Sequence, residues 1–449
     1  MNRTNNFKKA SETAVKMLRN CGFEAFLIGG SVRDYIMNLP IGDIDITTSA
    51  TPTETKEVFR DFRVIETGIK HGTVTVLIDN EPLEITTYRS EGTYSDNRHP
   101  DSVTFSKALK DDVIRRDFTM NGIAFDFEKG FVDLVGGIDD IKSKTIRAIG
   151  DAETRFREDA LRILRALRFS AVLGFSIEES TAKAIHKCKD LLKNISAERI
   201  QVEFSKLICG KNACSVLKEY SDVICMFIPE LEKCVGFEQV NRHHIYDVYT
   251  HSLKALEQSK NDLYIRLALF LHDIGKPYVA HFDEKGEQHY YSHPKKSAEL
   301  AEEILTRLRF DNDTKDKVST LVRMHDTPIM LDKEDYPSKK RLKRILSQIG
   351  VDLTCDLIEI KRCDNSAQNP KYYRGDDFYK ATYDMLDEII NGDECFTIKD
   401  LKINGNDLIS IGFKGKDIGK ALQKCLDGVI DGKVENNKNE LLKFIASAT

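Results

Sequence analysis

Hydrophobic and polar positions follow two rhythms along this chain. In "EAFLIGG", "GDIDITT", "GTVTVLI" and "PLEITTYR", all within the first 90 residues, short β-branched runs are bounded by glycine or polar breaks, which predicts strands. A helical period over residues 6–20 precedes the first of them, and a second helix is expected from Ser31. After Gly150 the rhythm changes. "DAETRFREDALRILRALRFSAVLGF" and the stretch to about 225 read as amphipathic helices separated by short polar breaks. From about 240 to 375 histidines become frequent on a helical background. "NPKYYRGDDF" reads as a linker, and 395–449 as a small lysine-rich tail. The pattern predicts an α+β chain: a mixed-sheet domain over 1–150, an all-α segment over 151–240, a helical domain over 241–375 and the tail. No internal repeat or low-complexity segment is visible.

Composition narrows the class. A chain of 449 residues is too long for one core and predicts two to four domains. With 41% hydrophobic and 31% charged residues it reads as globular. No apolar run is long enough to span a bilayer, and "MNRTNNFKKASETAVKML" lacks a signal-peptide core. The ten cysteines contain no C-x-x-C pair, which points to reduced thiols in a cytoplasm rather than a disulfide framework or zinc ribbon. The net charge of −5 gives nucleic-acid binding no global support, so any such binding needs a local basic surface.

The first chemistry lies in "FLIGGSVRDYIMNLPIGDIDITT". Side chains two apart on a strand share a face, so Ile44 and Ile46 can enter a core while Asp43 and Asp45 project together from the other side. Two carboxylates that close repel unless a proton or cation lies between them. A lone D-x-D also fits a solvated strand end. Gly29 and Gly30 close a strand ahead of a helix, where bare N–H groups can meet a phosphate, and Arg33 adds a fixed cation. Glu84, between Leu83 and Ile85, leaves its strand on the polar face; it fits an ordinary exposed position as well. Three carboxylates on two strands suit two-metal phosphoryl or nucleotidyl transfer with hard cations such as Mg²⁺. "DDVIRRDFTMNGIAFD" adds Arg115 and Arg116 for a triphosphate, Asp117 for a ribose hydroxyl, and Asn121. Taken alone, it equally describes capping charges at a helix N-terminus.

"GGSVRD", "DID", "RRDFTMN", "DLVGGIDDI" and "EDALRILRALRF", in this order over about the first 230 residues, resemble the class II tRNA nucleotidyltransferases. These are the CCA-adding enzymes and their relatives, the bacterial poly(A) polymerases. The resemblance implies a polymerase-β-like head on a helical neck and body. It also implies Mg²⁺ on Asp43 and Asp45, and a triphosphate near Gly30, Arg33, Arg115 and Arg116. One departure is Gly122, where the family usually has alanine.

In "EDALRILRALR", at 100° per residue, Asp159, Arg162 and Arg165 fall opposite Ile163, Leu164 and Leu167, with Asp159 and Arg162 as i,i+3 neighbours. A salt-bridged surface helix has the same pattern. A base-reading role has a chemical reason: cytosine and adenine each pair an amino donor with a ring acceptor, matching Asp159 and Arg162, whereas guanine and uracil put an oxygen against the carboxylate. The resemblance gives the motif this role and places Arg165 and Arg168 at nucleotide-binding positions. Helix geometry turns Arg168 half a turn from Asp159, toward phosphate or RNA. The polar segment 88–103 corresponds to the family's flexible loop, which the switch to ATP needs.

His251, His272–Asp273, His293, His325 and Asp364 are spread along the later helices. "LALFLHDIGKP" resembles the HD-domain phosphohydrolases, with "YDVYTHSLKAL" and "IKRCDNSAQ" supplying His251 and Asp364. The resemblance implies His251, His272, Asp273 and Asp364 as metal ligands, and this donor set suits Mn, Fe, Ni or Zn. In the tail, Lys414, Lys416 and Lys420 stand beside glycines ahead of a helix, an arrangement suited to RNA phosphate.

The expected function is CCA addition to tRNA from CTP and ATP in the cytoplasm. An A-adding enzyme or a poly(A) polymerase is the nearest alternative, and a metal phosphohydrolase with a nucleotide-sensing head is one of another class. A non-catalytic RNA-binding protein leaves the D-x-D unexplained. In an alarmone synthetase-hydrolase the HD domain usually comes first.

Overall fold

The computed structural model describes residues 3–447 apart from 67, 70, 71, 92–102 and 331–335. Most of the segment expected to form the family's flexible loop therefore lies outside the described residues. The chain divides into two compact units, Met1–Pro229 and Glu230–Thr449.

In the first unit a mixed sheet contains β1 (Ala25–Ile28), β2 (Ile44–Thr48), β3 (Arg63–Ile65), β4 (Thr73–Ile78) and β5 (Glu81–Thr87). A small antiparallel pair, β6 (Arg89–Glu91) and β7 (Val103–Phe105), stands apart from it. The sheet is completed by β8 (Ile123–Asp126) and β9 (Gly130–Asp133), in the order β3–β4–β5–β2–β1–β8–β9. Only β2 and β5 run parallel within it. The alternation read from sequence holds: Ile44, Ile46, Val74, Val76, Leu83 and Ile85 are buried against Ala14, Val15 and Leu18 of the helix Arg3–Asn20. Each such aliphatic side chain contributes about 1.5–3 kcal/mol by leaving water, which fixes the sheet's register and leaves Asp45 and Glu84 on the opposite face.

"DLVGGIDDI" is a packing device. Asp133 accepts backbone hydrogen bonds from Val135, Gly137 and Ile138 at 3.1, 3.0 and 2.8 Å, capping the helix Gly137–Lys142. A Cβ on Gly137 would lie 2.2 Å from the Thr119 carbonyl oxygen, so only glycine lets this helix approach the turn that carries "RRDFTMN". Thr119 also donates to Asp140 at 2.6 Å. At Gly122 a methyl would meet Val135 at 2.9 Å and Ile149 at 3.1 Å, so these two side chains fill the space that the alanine usual in the resembled family would need.

The second unit is helical. Helices Val248–Glu257, Leu263–Leu271, His293–Arg307, Asn312–Met324 and Lys339–Ser366 pack together. The last is broken at Gly350, whose φ of 76° is not helical. Ahead of the break, Lys339 and Lys343 pair with Glu394, and Lys340 and Arg344 with Asp431; beyond it comes Asp364. The stretch read as a linker is instead a fastened turn leading into the helix Asp376–Asn391. Asn365 donates to the Tyr372 carbonyl at 3.0 Å, and Tyr379 to that of Lys361 at 3.0 Å. The tail forms its own core around Leu408, Cys425, Leu426 and Leu441. The cysteines are free, as expected. Among the described residues no helix is long and apolar enough to cross a membrane.

Candidate active site

Parallel pairing sets Asp45 directly beside Glu84 across β2 and β5, and Asp43 stands one residue before β2. Burial pushes the Asp45 carboxyl up to about 6; Arg116 opposes this, while Glu84 and Asp43 add to it. The glycine pair explains how a half-buried carboxylate and an arginine meet there. Gly29 has φ +84°, and a Cβ on it would lie 3.0 Å from Asp45 Oδ2 and 3.3 Å from Arg116. Gly30 opens the helix Gly30–Ile36. The donor set is all oxygen and partly open to solvent, which fits a hard divalent cation with substrate phosphates as its remaining ligands.

The surrounding arginines are held by protein carboxylates. Arg115 and Arg116 pair with the fully buried Asp112 at 2.5 and 3.0 Å, and Thr47 donates to the same carboxylate at 3.1 Å. Arg33 donates to Asn121 at 2.8 Å and pairs with Asp34 at 2.7 Å. Asn121 in turn donates to Asp117 at 3.0 Å, and Arg165 pairs with Asp117 at 2.7 Å. Burial would raise the Asp117 pKa, but Arg165, Asn121 and the Phe118 N–H outweigh it and hold the group far below the carboxylate range. With its oxygens taken in this way, Asp117 orients Arg165 and Asn121, and a ribose hydroxyl must displace one of them to reach it. Arg33, Arg165 and Arg168 lie around the Phe169 ring at 5.1, 5.4 and 4.1 Å. Arg168 pairs with the buried Glu203 at 3.2 Å.

The base-reading helix differs from expectation. "EDALRILRALR" is not one helix: Ala152–Glu158 ends, Asp159 takes an extended conformation (φ −135°, ψ 102°), and Leu161–Leu173 starts afresh. Asp159 and Arg162 are therefore not stacked on one helical face. The Asp159 carboxylate pairs with Arg199 at 3.0 Å. Arg162 is buried, pairs with Glu158 at 2.8 Å and donates to the carbonyls of Arg155 and Arg115 at 3.1 and 2.9 Å. Sequence reasoning missed Arg199, Glu203 and Asp112. Only the charged residues on the buried side of "AERIQVEFSKLI" hinted at the first two.

Comparison with known proteins follows the same plan. Residues 25–147 match the family described as "Poly A polymerase head domain", 174–223 that described as "Probable RNA and SrmB- binding site of polymerase A", and 292–445 that described as "tRNA nucleotidyltransferase domain 2 putative". The CCA-adding enzyme of Enterococcus faecalis is 46% identical over 230 residues, 51% of this chain and 56% of that protein. That of Limosilactobacillus fermentum is 35% identical over 429 residues, covering 95% of this chain and 93% of the relative. This chain belongs to the CCA-adding enzyme family. Several other CCA-adding relatives also match over only about half their length, among them that of Lactobacillus helveticus at 52%. The crystal structure of the Bacillus stearothermophilus CCA-adding enzyme in complex with CTP superposes with a TM-score of 0.70 at 26% identity, over 98% of this chain and 97% of that one.

In this CCA-adding family member the second unit gathers its histidines. His251, His272, His293, His325 and Asp364 come from five helices or their ends, and Asp273 follows His272. Every one of the four imidazoles donates from Nδ1 to a backbone carbonyl: His251 to Ala367 (3.3 Å), His272 to Leu269 (2.7 Å), His293 to Tyr290 (2.9 Å) and His325 to Val322 (2.7 Å). Those bonds fix the tautomer and turn four Nε2 atoms inward. His251 Nε2 is 2.9 Å from Asp364, and His272 Nε2 is 3.2 Å from Asp273. Burial works against charge on His272, but the two carboxylates pull its pKa up to about 10. Lys276, also buried, lies 2.6 Å from Asp273 and donates to Gln239 at 2.9 Å and to His244 at 3.3 Å. His244 and Lys276 were not singled out from sequence. In the tail, the exposed Lys414 and Lys420 line an open groove of about 740 Å³ beside Phe413, while Lys416 opens the helix Lys416–Ile430.

Proposed function

We propose that this chain adds C, C and A from CTP and ATP to the 3′ end of tRNA without a nucleic-acid template, releasing pyrophosphate. The observation that carries the reading is the side-by-side pairing of Asp45 with Glu84, with Asp43 next to them, against a loop whose Gly29 leaves room for Arg116. Relatives named as CCA-adding enzymes support it, one of them along nearly the whole chain. The primer 3′ oxygen attacks the α-phosphorus, its proton leaves, and the bond to pyrophosphate breaks. Two Mg²⁺ held by Asp43 and Asp45, with Glu84 beside them, would supply hydroxyl activation and charge neutralisation. Gly29 and Gly30 let the backbone approach the triphosphate. Arg33, Arg115 and Arg116 neutralise it, each preset by a carboxylate. Asp117 and Asn121 position Arg165 and Arg33, and Arg168 reaches a nucleotide or RNA phosphate only by leaving Glu203. Base choice rests on Asp159 as acceptor and Arg162 as donor; reading a base requires them to leave Arg199 and Glu158. Lys414, Lys416 and Lys420 bind tRNA phosphates. The regions act as a head (1–150), a neck and body (151–240), an HD domain (241–375) and a tRNA-binding tail (395–449), in a cytoplasmic enzyme.

The test is a tRNA transcript ending before its CCA, given Mg²⁺ and each NTP alone, then CTP with ATP. Two additions from CTP, and a third only with ATP, are expected. One ATP added to a CC-ending transcript with no use of CTP would make this an A-adding enzyme, and long ATP tails a poly(A) polymerase.

One observation favours a second reading for the other unit. His272 Nε2 is buried without a hydrogen-bond partner and faces the Asp273 carboxylate, which Lys276 also contacts; this fits a transition metal on His251, His272, Asp273 and Asp364 in a phosphohydrolase-type site.

A further inference from the structure

We infer that Phe169 is a positioning residue for nucleotide binding: its ring keeps Arg33, Arg165 and Arg168 in place while Arg33 and Arg168 exchange their carboxylates for the phosphate oxygens of a nucleoside triphosphate. The inference rests on the nucleotide-adding reading.

Three observations carry it. First, three guanidiniums converge on one uncharged side chain. Arg33 comes from the helix Gly30–Ile36, whereas Arg165 and Arg168 share the helix Leu161–Leu173 with Phe169 itself. Their guanidinium carbons lie over the ring at 5.1, 5.4 and 4.1 Å from its centre. A cation–π attraction reaches about 6 Å, so all three fall within it. Cations gathered this closely repel one another. Burial acts against charge on Arg168 and Glu203 acts for it, while Arg165 and Arg33 again oppose it. An aromatic ring with negative faces attracts all three without adding a charge of its own.

Second, the ring and the carboxylates hold each arginine in different ways. Arg33 turns Nε and Nη2 to Asp34 and Nη1 to Asn121. Arg165 turns Nε and Nη2 to Asp117, and Arg168 turns Nη1 to Glu203. A phosphate competes for those same N–H donors. The ring takes none of them, since it acts on the charge of the guanidinium as a whole. An arginine that lets go of its carboxylate is therefore still held, and little ordering is left to be done when the phosphate arrives.

Third, the ring itself is fixed. Phe169 is buried and packs edge to face with Phe118, their centres 5.9 Å apart at 86°. Phe118 is fully buried, and its N–H donates to Asp117 at 2.8 Å. The ring that gathers the arginines is thus tied to the carboxylate that orients Arg165.

The charge balance names the ligand. Arg33, Arg165 and Arg168 are matched by Asp34, Asp117 and Glu203. Once Asp34 and Glu203 are displaced, two positive charges are left for an anion, and the ring does not discriminate between bases. CTP and ATP should depend on it alike.

The experiment places phenylalanines bearing one, two or three ring fluorines at position 169 of the full chain and measures CTP binding by equilibrium dialysis, with Mg²⁺ and no tRNA. Each fluorine withdraws charge from the ring faces and changes its size little. The Kd for CTP should rise with every fluorine, to about tenfold with three, and that for ATP by the same factor. Phe169→Tyr, which keeps the ring, should stay within about threefold, and Phe169→Leu should bind as weakly as the trifluorinated ring. A flat fluorine series, with a loss in Phe169→Leu alone, would overturn the inference, because the ring would then act through packing only. A rise confined to one of the two nucleotides would overturn it as well. A thermal melt reports whether each variant is folded, and the fluorinated rings decide the matter should Phe169→Leu fail to fold. An unmodified chain that binds CTP but adds nothing to tRNA would overturn the nucleotide-adding reading while the fluorine series still tests the ring; one that binds no CTP would overturn both.

Discussion

The oxygen face of the sheet and the imidazole pocket of the helical unit both gather carboxylates, yet they are built in opposite ways. Asp43, Asp45 and Glu84 are brought together by one strand register, stay partly open, and have only oxygen to offer. The histidine cluster needs five helices, is largely buried, and orients His251, His272, His293 and His325 through backbone carbonyls. An open oxygen site exchanges its ion with solvent and completes its shell with substrate. A closed nitrogen site keeps its ion as part of the fold. The contrast teaches that donor type and burial together would separate a cation that arrives with a nucleotide from one held within the fold.

The sharpest way to break the comparison is Asp45→Asn. Nucleotide addition should fall on the order of 1,000-fold in single-turnover assays, while the metal content of the helical unit stays the same. A matching loss of that metal would mean the two sites are not independent. Gly29→Ala should come next. It forces a side chain into a left-handed backbone and against Asp45 and Arg116, costing about 1–3 kcal/mol of stability and roughly 100-fold in rate through misplacement. A denaturant melt and a rate measurement together read both.

Acidity sharpens the contrast further. Asp45 titrates near 6 in the fold, above its unfolded range, so the folded chain holds that proton more tightly. Without metal, this group's contribution to stability falls as pH rises through about 6. Mg²⁺ competes with the same proton. The Mg²⁺ concentration for half-maximal addition should therefore climb about tenfold per pH unit below about 6, and Asp45→Asn should abolish the trend. The smallest effect is expected for Arg199→Ala. Freed from its partner, Asp159 should relax the choice of C and A over U and G by about tenfold, visible as misincorporation with little change in CTP addition.

Much of the head was legible because its signals are local. The alternation around Asp43 and Asp45 depends on neighbours one residue away, and Gly29 on its own backbone angle. The break at Asp159 was not legible, since "EDALRILRALR" contains no glycine or proline to announce it. It coincides with the pairing of Asp159 to Arg199, forty positions later in the chain. Asp112 was hidden for a similar reason: a buried acid reads as one more surface charge until Arg115, Arg116 and Thr47 are seen to converge on it. His293 and His325 stood out as residues, but only helix packing sets their nitrogens face to face.

Gly350 gives the long helix Lys339–Ser366 a mechanical property. Its first half is riveted to Glu394 and Asp431 by lysines and an arginine, and its second half carries Asp364. A continuous helix would transmit any torque on the riveted half straight to that carboxylate. The single non-helical residue interrupts that line of transmission, so a displacement of the riveted half need not carry Asp364 with it.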